Sequence, residues 1–476
     1  MTKGAAGGRP KPGGGPKPNG WPNSSGRPKR SGRPNSSGRP NSSGRPAARL
    51  ELDVHDLAST GEGIGRDGTG AAVFVRGALP GERVLASLNE RARSPLRANL
   101  LRVLHASEAR VAPPCAHADR CGGCDLMHLE PSTRRSWLER MLLEQLARSL
   151  RSVATLPAPT WHTPTQALGY RSRARLRIEA DGKRARVGFS EAMSHRTVAV
   201  ESCVVLDDAL RPALAELAAL FAACRGAGEA RVALGAGGRR VYDVEFDGEL
   251  DGALLGRIEQ AREHIAGAEV RLSGATAPLS VGDARCVSIA ADGLPLLAPS
   301  GGFAQASAVG GAALARAVAE GAGDAERAVE LFAGSGALTV LLARHVGSLV
   351  AVEADRDAAT SLADNLHARG LFAVKVRVED ANAFAFARNL PLVVLDPPRA
   401  GAPGAVRNIA AARARRVVYV SCNAATLGRD LAVLAGAGYD IDTLALFDLF
   451  PQTSHLETVA VLSPRAHAAK GRDGAQ

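Results

Sequence analysis

The sequence predicts a multidomain protein with a small N-terminal β-barrel, a central α+β domain and a C-terminal doubly wound α/β domain. Three observations support this fold class. The 476 residues exceed the length of one ordinary domain. Residues 49–106 form short strand-like runs separated by Gly-rich turns. From about residue 301, apolar strand-length runs alternate with helix-like stretches, which is typical of a parallel sheet covered by helices.

The first 46 residues differ from the rest of the chain. They are rich in Gly, Pro, Ser and Arg, and residues 23–46 form four similar hexamers such as NSSGRP. We expect disorder over 1–46 because this composition cannot bury apolar surface, and we expect a short disordered tail over 466–476. Ten of the 59 Lys and Arg residues lie in 1–46, so the remaining chain has 49 basic against 48 acidic residues. The basic tail is either an RNA tether or a solubilising extension.

Residues 47–107 predict a small antiparallel barrel. Its strand-like runs are LELDVHDLA, AAVFVRG, ERVLASL and ANLLRVLHAS, and its turns are STGEGIGRDGTG and GALPGE. Asp67–Gly68 is typical of a hairpin turn. Small barrels often bind RNA, but the fold alone does not establish this function. A purely structural module is the alternative.

The predicted central domain, 108–300, begins with the stretch CAHADRCGGC at residues 115–124, which holds three of the seven cysteines. A disulfide, a zinc site and an iron–sulfur site are the three interpretations. The sequence has neither an apolar stretch long enough to span a membrane nor a signal-like N-terminus. We therefore expect a cytosolic protein, in which disulfides are rare. Zinc and iron–sulfur remain open.

Two helices are predicted in this central domain. STRRSWLERMLLEQLARSL is an amphipathic stretch for which Ser132 is the expected N-cap. Between Tyr170 and about Ala298, strand-like runs alternate with an Ala/Leu helix near residues 209–224. This alternation indicates an α+β arrangement.

The predicted α/β domain, 301–465, carries a glycine pair after its first strand, in VELFAGSG. Gly334 and Gly336 allow the backbone to approach a ligand closely, and ligands of such sheets bind beyond the carboxyl ends of the strands. The next strand ends at Glu353, where a carboxylate can bind ribose hydroxyls. Leu338 and Thr339 follow where a dinucleotide motif needs a third glycine. This pattern favours an adenosyl ligand such as S-adenosylmethionine.

Three reactive side chains follow or begin other strands of this domain. Asp396 comes after an apolar strand and before two prolines, which indicates a rigid loop. Cys422 lies between a strand and a helix that begins near Ala424, where the helix dipole would favour a thiolate. Glu457 begins a late strand and could act as a general base. Taken singly, Cys422 could be a buried structural cysteine and Glu457 an exposed strand-end carboxylate.

Together these features resemble the S-adenosylmethionine-dependent RNA uridine-C5 methyltransferases, over residues 47–465. The matching segments are ALPGERV, similar to the TRAM domain, an RNA-binding module, and YRSRARL, GFAQ, DPPR and SCN. The resemblance implies a class I methyltransferase domain, with Cys422 as nucleophile, Glu457 as base and Asp396 between cofactor and uracil. The cofactor-binding residues it implies are Gln305, Phe332, Gly334, Gly336, Glu353, Asp380 and Asp396.

The resemblance also implies a [4Fe-4S] cluster on Cys115, Cys121, Cys124 and Cys203, with zinc as the alternative. Family members that carry both a TRAM domain and the cluster mostly modify large-subunit RNA, so 23S rRNA is the expected substrate. The alternatives are a transfer-RNA enzyme and a catalytically silent RNA-binding protein. A monomer without a membrane partner is expected. The chain departs from the family at Ala337 and Ser307, where Asn is common, which puts single cofactor contacts in doubt.

Overall fold

The structure is a computed structural model. It describes residues 48–88, 95–151, 155–162, 166–194 and 196–465. The disorder expected for 1–46 and 466–476 lies outside the described residues. Within the described part of the chain, no helix has the length and apolar character needed to cross a membrane.

The N-terminal region forms a closed five-stranded barrel in the order β1-β2-β3-β5-β4. Its strands are β1 (Arg49–Leu57), β2 (Gly63–Arg66), β3 (Ala72–Arg76), β4 (Arg83–Leu88) and β5 (Leu96–His105). Alternate residues such as Leu52, Val54, Val73 and Val75 fill its core. The barrel confirms the prediction, with two corrections. Strand β2 lies inside the stretch interpreted as a turn, and β3 pairs with β5 in parallel.

Asp67–Gly68 lies in the hairpin connection between β2 and β3, as expected, but this connection is longer than a two-residue turn. Arg66 pairs with Ala72, so the connection has five residues. Asp67 Oδ1 accepts hydrogen bonds from the backbone nitrogens of Thr69 and Ala71 at 2.9 and 3.0 Å. The left-handed residue is Gly70, with φ 86°. An Asp that satisfies several backbone donors favours this longer loop over a tight turn.

A long helix and a short strand follow the cysteine-rich stretch, namely α1 (Pro131–Leu150) and β6 (Thr160–His162). The expected N-cap, Ser132, is wrong: the cap is Glu130, whose carboxylate accepts a hydrogen bond from the nitrogen of Thr133 at 2.7 Å. Pro131 explains the difference, because its fixed φ and missing donor suit the first helical position.

The central region is built on a seven-stranded sheet in the order β13-β12-β11-β10-β7-β8-β9, beside a two-stranded sheet of β14 and β15. The strands are β7 (Arg173–Asp181), β8 (Ala185–Ser190), β9 (Thr197–Ala199), β10 (Arg225–Leu234), β11 (Arg240–Glu249), β12 (Ile265–Leu272), β13 (Leu279–Gly282), β14 (Cys286–Ile289) and β15 (Pro295–Ala298). Its helices are α2 (Ala213–Leu220) and α3 (Leu254–Gln260). The helix expected near 209–224 is therefore shorter, with turns at both ends.

The C-terminal region holds an eight-stranded sheet in the order β18-β17-β16-β19-β20-β22-β21-β6. Its further elements are α4 (Ala308–Ala322), β16 (Ala325–Leu331), α5 (Thr339–Leu342), β17 (Val346–Glu353), α6 (Arg356–His367), β18 (Val374–Val378), β19 (Leu392–Leu395), α7 (Pro403–Ala412), β20 (Val417–Ser421), α8 (Ala424–Gly436), β21 (Tyr439–Phe447) and β22 (Glu457–Pro464). The first five strands in this order are parallel, as predicted, but β22 is antiparallel to both of its neighbours.

Elements from before residue 300 complete this sheet and its core. Strand β6 pairs with β21 at one edge of the sheet. Helix α1 buries Leu138, Leu142, Leu146 and Leu150 in the same apolar cluster as the sheet. The predicted boundary at residue 300 therefore does not divide the chain into two separate apolar cores, because the segment after the cysteines packs into the C-terminal core.

Candidate active site

The reactive residues meet at one edge of the eight-stranded sheet. Phe332, Asp396 and Cys422 follow the last residues of the parallel strands β16, β19 and β20, and Glu353 ends β17. Strand β22 runs in the opposite direction, so it begins at this edge with Glu457. Ser421 pairs with Thr458, which makes Cys422 and Glu457 neighbours. The sequence correctly placed these residues at strand ends.

The glycine loop after β16 has a tightly defined backbone. Phe332, Gly334 and Gly336 all have positive φ, at 60°, 55° and 93°. A non-glycine residue rarely adopts this conformation, and such strain collects at functional sites. Glu353 fixes the loop, since its Oε2 accepts a hydrogen bond from Gly334 N at 2.8 Å. Its Oε1 accepts one from Asp355 N at 2.8 Å.

A second support of this loop is Asn365 on α6, which the sequence did not reveal. Its amide donates to the carbonyl oxygens of Ser335 and Leu297 at 2.9 and 2.8 Å. Its Oδ1 accepts from Leu297 N at 2.9 Å. A polar residue on the buried face of an amphipathic helix was the available indication. The loop is therefore held from two directions.

The remaining residues expected to bind the cofactor lie in different surroundings. Gln305 is partly buried, and its Oε1 is a buried acceptor without a hydrogen-bond partner among the described residues. Such an orphaned acceptor fits a polar ligand. Asp380 is exposed after β18, and its Oδ1 accepts from Asn382 N at 2.9 Å. Phe332 packs against the apolar core.

The loop that begins at Asp396 is anchored by a buried carboxylate on α8. Asp430 on α8 is fully buried and accepts hydrogen bonds from Ala402 N and from the Tyr419 hydroxyl, both at 2.7 Å. Gly401 has φ 74°, and a Cβ there would lie 2.5 Å from Asp430 Oδ2. Only glycine tolerates both conditions. The loop is thereby fastened to the strand that ends beside Cys422.

The charges at this edge are strongly perturbed. Burial raises the pKa of Asp396 to about 7 and that of Glu457, 5% exposed, to about 8, with the Asp396 charge acting in the same direction on Glu457. Burial, then Glu457, raises the pKa of Cys422 to about 11. This direction is opposite to the one expected from the helix dipole, because burial penalises the charged form of the thiol.

Three further side chains at this edge received no role from the sequence, although Arg399 belongs to the DPPR segment. Glu330 is buried in β16, and burial raises its pKa to about 8; an acidic residue inside an apolar strand was the indication. Arg399 lowers the pKa of both Cys422 and Glu457. His455 Nε2 lies 3.5 Å from Arg399 Nη2. Arg399 and His455 lie in loops, where periodicity gives no guidance.

Four cysteines line one cavity, together with Arg171 and the apolar residues Met127 and Phe189. They are Cys115, Cys121, Cys124 and Cys203. All seven cysteines of the chain are free thiols. Burial raises the pKa of Cys124 to about 12. Among the described residues, no group of three or more His, Cys, Asp or Glu side chains is placed to hold a single metal ion.

Comparison with known proteins identifies the family. Residues 299–465 match the tRNA (Uracil-5-)-methyltransferase family, and residues 47–101 match the TRAM domain. A 23S rRNA (uracil(1939)-C(5))-methyltransferase RlmD from Pseudomonas putida is 36% identical over 424 residues, which cover 86% of this chain and 92% of that protein. This chain belongs to the RNA uracil-C5 methyltransferases.

Other relatives agree with this assignment. The RlmD of Chromohalobacter salexigens is 33% identical to this methyltransferase, over 87% of this chain and 89% of that protein. The solved tRNA (uracil-54, C5)-methyltransferase of Pyrococcus abyssi, in complex with S-adenosyl-L-homocysteine, has 19% identity and a TM-score of 0.66. The match covers 87% of this chain and all of that one. This likeness shows the shared fold.

Proposed function

We propose that this methyltransferase transfers the methyl group of S-adenosylmethionine to C5 of a uridine in 23S rRNA. The observation that carries the proposal is the convergence of Cys422, Glu457 and Asp396 at one sheet edge. The RlmD name of the sequence relatives supports the choice of RNA.

The chemistry explains why a thiol and a carboxylate are needed together. Uracil C5 is a weak nucleophile, so the Cys422 thiolate first adds to C6 and makes the ring an enolate. C5 then attacks the methyl group and releases S-adenosylhomocysteine. Glu457 takes the C5 proton, and the electrons of that C–H bond expel the thiolate from C6. The raised pKa of Glu457 suits a base that must work near neutral pH.

The cofactor is assigned to the glycine-loop side of this edge. Glu353 would bind the ribose hydroxyls, and the unpartnered Oε1 of Gln305 would accept a hydrogen bond from the ligand. Phe332, Gly334, Gly336, Asp380 and Asp396 would complete the site. The Asp396 charge acts on Cys422, which supports its assignment between cofactor and uracil.

The substrate base must leave its stack to reach Cys422, and the TRAM barrel supports an RNA partner. The fold does not distinguish ribosomal from transfer RNA, since the solved neighbour is a transfer-RNA enzyme. The choice rests on the sequence relatives. The monomeric state and the cytosolic location stay predictions.

We further propose that Cys115, Cys121, Cys124 and Cys203 hold a [4Fe-4S] cluster. The support is that the four thiols line one cavity and that their spacing is similar to the four-cysteine cluster ligation of the family. The cation beside them is Arg171, which would offset the negative charge of a ligated cluster. Iron, sulfide and visible absorbance should be present in anaerobically purified protein and lost in Cys121→Ser. Stoichiometric zinc would contradict this proposal.

Mapping of 5-methyluridine tests the function. We expect 23S rRNA from cells that lack this protein to lose one 5-methyluridine, which the wild type restores and Cys422→Ala does not. RNA that bears 5-fluorouridine should trap wild-type protein covalently, because fluorine blocks proton removal. Loss of the methyl group from transfer RNA alone would contradict the ribosomal assignment. Absence of the adduct would favour a catalytically silent RNA-binding protein.

A further inference from the structure

The segment Asp448–Leu456 connects β21 to β22 and leads directly into Glu457. The Glu457 carboxylate accepts no hydrogen bond from the described residues, although it is 5% exposed. The direction of the Glu457 side chain therefore depends on the backbone segment that leads into β22. Whatever holds the segment 448–456 sets the position of the proposed base.

Residues far away in the sequence hold the first part of this segment. Arg134 on α1 binds the Asp448 carboxylate through two hydrogen bonds of 2.7 and 2.9 Å. Its Nε donates to the carbonyl oxygen of Thr453 at 2.8 Å. The Tyr170 hydroxyl donates to the carbonyl oxygen of Pro451 at 3.0 Å. These contacts fix residues 448–453 against the central part of the protein.

Asp125 holds the part that is nearest to the base. Its Oδ1 accepts a hydrogen bond from Ser454 N at 2.9 Å, and its Oδ2 accepts one from Ser454 Oγ at 2.5 Å. The next residue, Leu126, donates from its nitrogen to the carbonyl oxygen of Gln452 at 3.0 Å. Ser454 lies three residues before Glu457. Both oxygens of one carboxylate thus bind a single residue of the segment.

Asp125 also lies where three parts of the molecule meet. It directly follows Cys124 in the cysteine loop, which is the stretch that carries Cys115, Cys121 and Cys124. On its other side is the β1–β2 turn of the barrel, where a Cβ at Gly61 would lie 3.0 Å from Asp125 Oδ2. The barrel, the cysteine loop and the segment that precedes Glu457 therefore share one contact point.

We propose that Asp125 is a positioning residue for the general base, because its carboxylate ties the cysteine loop to the segment that leads into Glu457. This inference rests on the proposed function, which assigns Glu457 as the base. It also gives the cysteine loop a role in a reaction that needs no electron transfer, because this loop leads into Asp125, which positions the base.

The proposal predicts a loss that is confined to one step. Attack of Cys422 on C6 does not use Glu457, whereas removal of the C5 proton does. Asp125→Asn keeps the acceptor for Ser454 N, but its amide nitrogen can only donate to the Ser454 hydroxyl, so the charge-assisted bond from that hydroxyl is lost. A displaced base leaves the methylated adduct bound to Cys422, and a misplacement of about 1 Å can cost up to ~100-fold in rate.

The experiment compares Asp125→Asn and Ser454→Ala with wild type in the full chain. With 5-fluorouridine RNA, adduct formation should keep its wild-type rate in both variants. With ordinary uridine RNA, both should turn over about 10- to 100-fold more slowly and accumulate a covalent RNA–protein complex on denaturing gels. Both variants keep the bond from the Ser454 backbone nitrogen and lose the one from its hydroxyl, so their effects should be similar in size. Iron content and visible absorbance should equal those of wild type.

Glu216→Gln is the matched control. Glu216 on α2 is a partly buried carboxylate that pairs with Arg240, 2.8 Å from Oε2 to Nε, away from the segment 448–456. This variant should lose stability without accumulating the covalent complex. In addition, Asp125→Asn placed on Glu457→Gln should slow turnover little further, because both act on one step.

Two results would overturn the inference. One is an Asp125→Asn variant that loses the 5-fluorouridine adduct as strongly as turnover, which would indicate general damage to the site. The other is wild-type turnover in Asp125→Asn. Failure of the proposed function is distinguishable from both, because wild-type protein itself would then form no adduct with 5-fluorouridine RNA.

Discussion

The two halves of the active site are built by opposite means. On the cofactor side, the Glu353 carboxylate already accepts two backbone hydrogen bonds, and Asn365 supports the same loop. On the uracil side, Asp396 and Glu457 are carboxylates whose pKa burial raises to about 7 and about 8. The cofactor loop is held in place before any ligand arrives, whereas the uracil side keeps two carboxylates whose charged form burial disfavours.

This difference fits the tasks of the two halves. A cofactor that is bound in one shape requires a loop whose geometry is already fixed before binding. Proton transfer requires a group that can be neutral or charged near neutral pH, and desolvation supplies such a group at a cost in stability. Substitutions on the cofactor side should therefore alter binding, and those on the uracil side should alter chemical steps.

The largest expected effect comes from Glu457→Gln. Without a base, the C5 proton stays and the methylated adduct cannot release Cys422, so turnover should fall by about 10²- to 10⁴-fold. The covalent complex with uridine RNA should accumulate on denaturing gels. Cys422→Ala should form no such complex. Multiple turnover by Glu457→Gln at the wild-type rate would remove Glu457 from the mechanism.

The parts of the fold that could be predicted are those that local patterns determine. The apolar runs that end at Glu353, Asp396 and Cys422 are parallel strands. A parallel strand is covered by helices on both faces of the sheet, so it is apolar throughout and can be recognised in the sequence. Their common edge follows from the topology, so the cofactor loop and the nucleophile could be placed from the chain alone.

The parts that could not be predicted depend on contacts distant in sequence. The N-cap is the exception, because Glu130 replaces Ser132 through the adjacent Pro131, which is visible in the sequence. Strand β2 forms in a Gly-rich stretch because the barrel closes around it. The raised pKa of Cys422 arises from burial and Glu457, 35 positions along the chain, whereas the helix dipole was visible locally.

The pH dependence of adduct formation sharpens the contrast between the halves. Glu457 raises the pKa of Cys422, so its removal should lower that pKa and increase the thiolate fraction at a given pH. Adduct formation with 5-fluorouridine RNA should rise with pH between about 7 and 9 in wild type. In Glu457→Gln the rise should be steeper above about pH 8, where the wild-type Glu457 carboxylate is charged and opposes the thiolate. Glu353→Gln, the control from the cofactor side, should leave the profile unchanged.

A smaller effect is expected from Glu353→Gln itself. The amide cannot accept hydrogen bonds at both former carboxylate oxygens, so the Gly334 loop and the ribose contact should weaken. We expect the KM for S-adenosylmethionine to rise about tenfold, equivalent to ~1.4 kcal/mol, with kcat within about threefold of wild type. A large fall in kcat at an unchanged KM would instead place Glu353 in the chemical step.

The smallest effect should appear in stability, with a sign opposite to that in activity. The pKa of Glu457 is raised on folding, so between its ordinary value and about 8 the folded protein binds a proton that the unfolded chain has released. This group therefore lowers stability as pH rises through that window.

Glu457→Gln removes the penalty and should raise the Tm at pH 8 by a few degrees, since ~1 kcal/mol shifts Tm by about 2–4 °C in domains of this size. At pH 5 the two proteins should melt together, and Glu353→Gln should melt no higher than wild type at either pH. A Glu457→Gln variant that melts lower than wild type at pH 8 would show that the carboxylate has a stabilising partner, and the two halves would then be built alike.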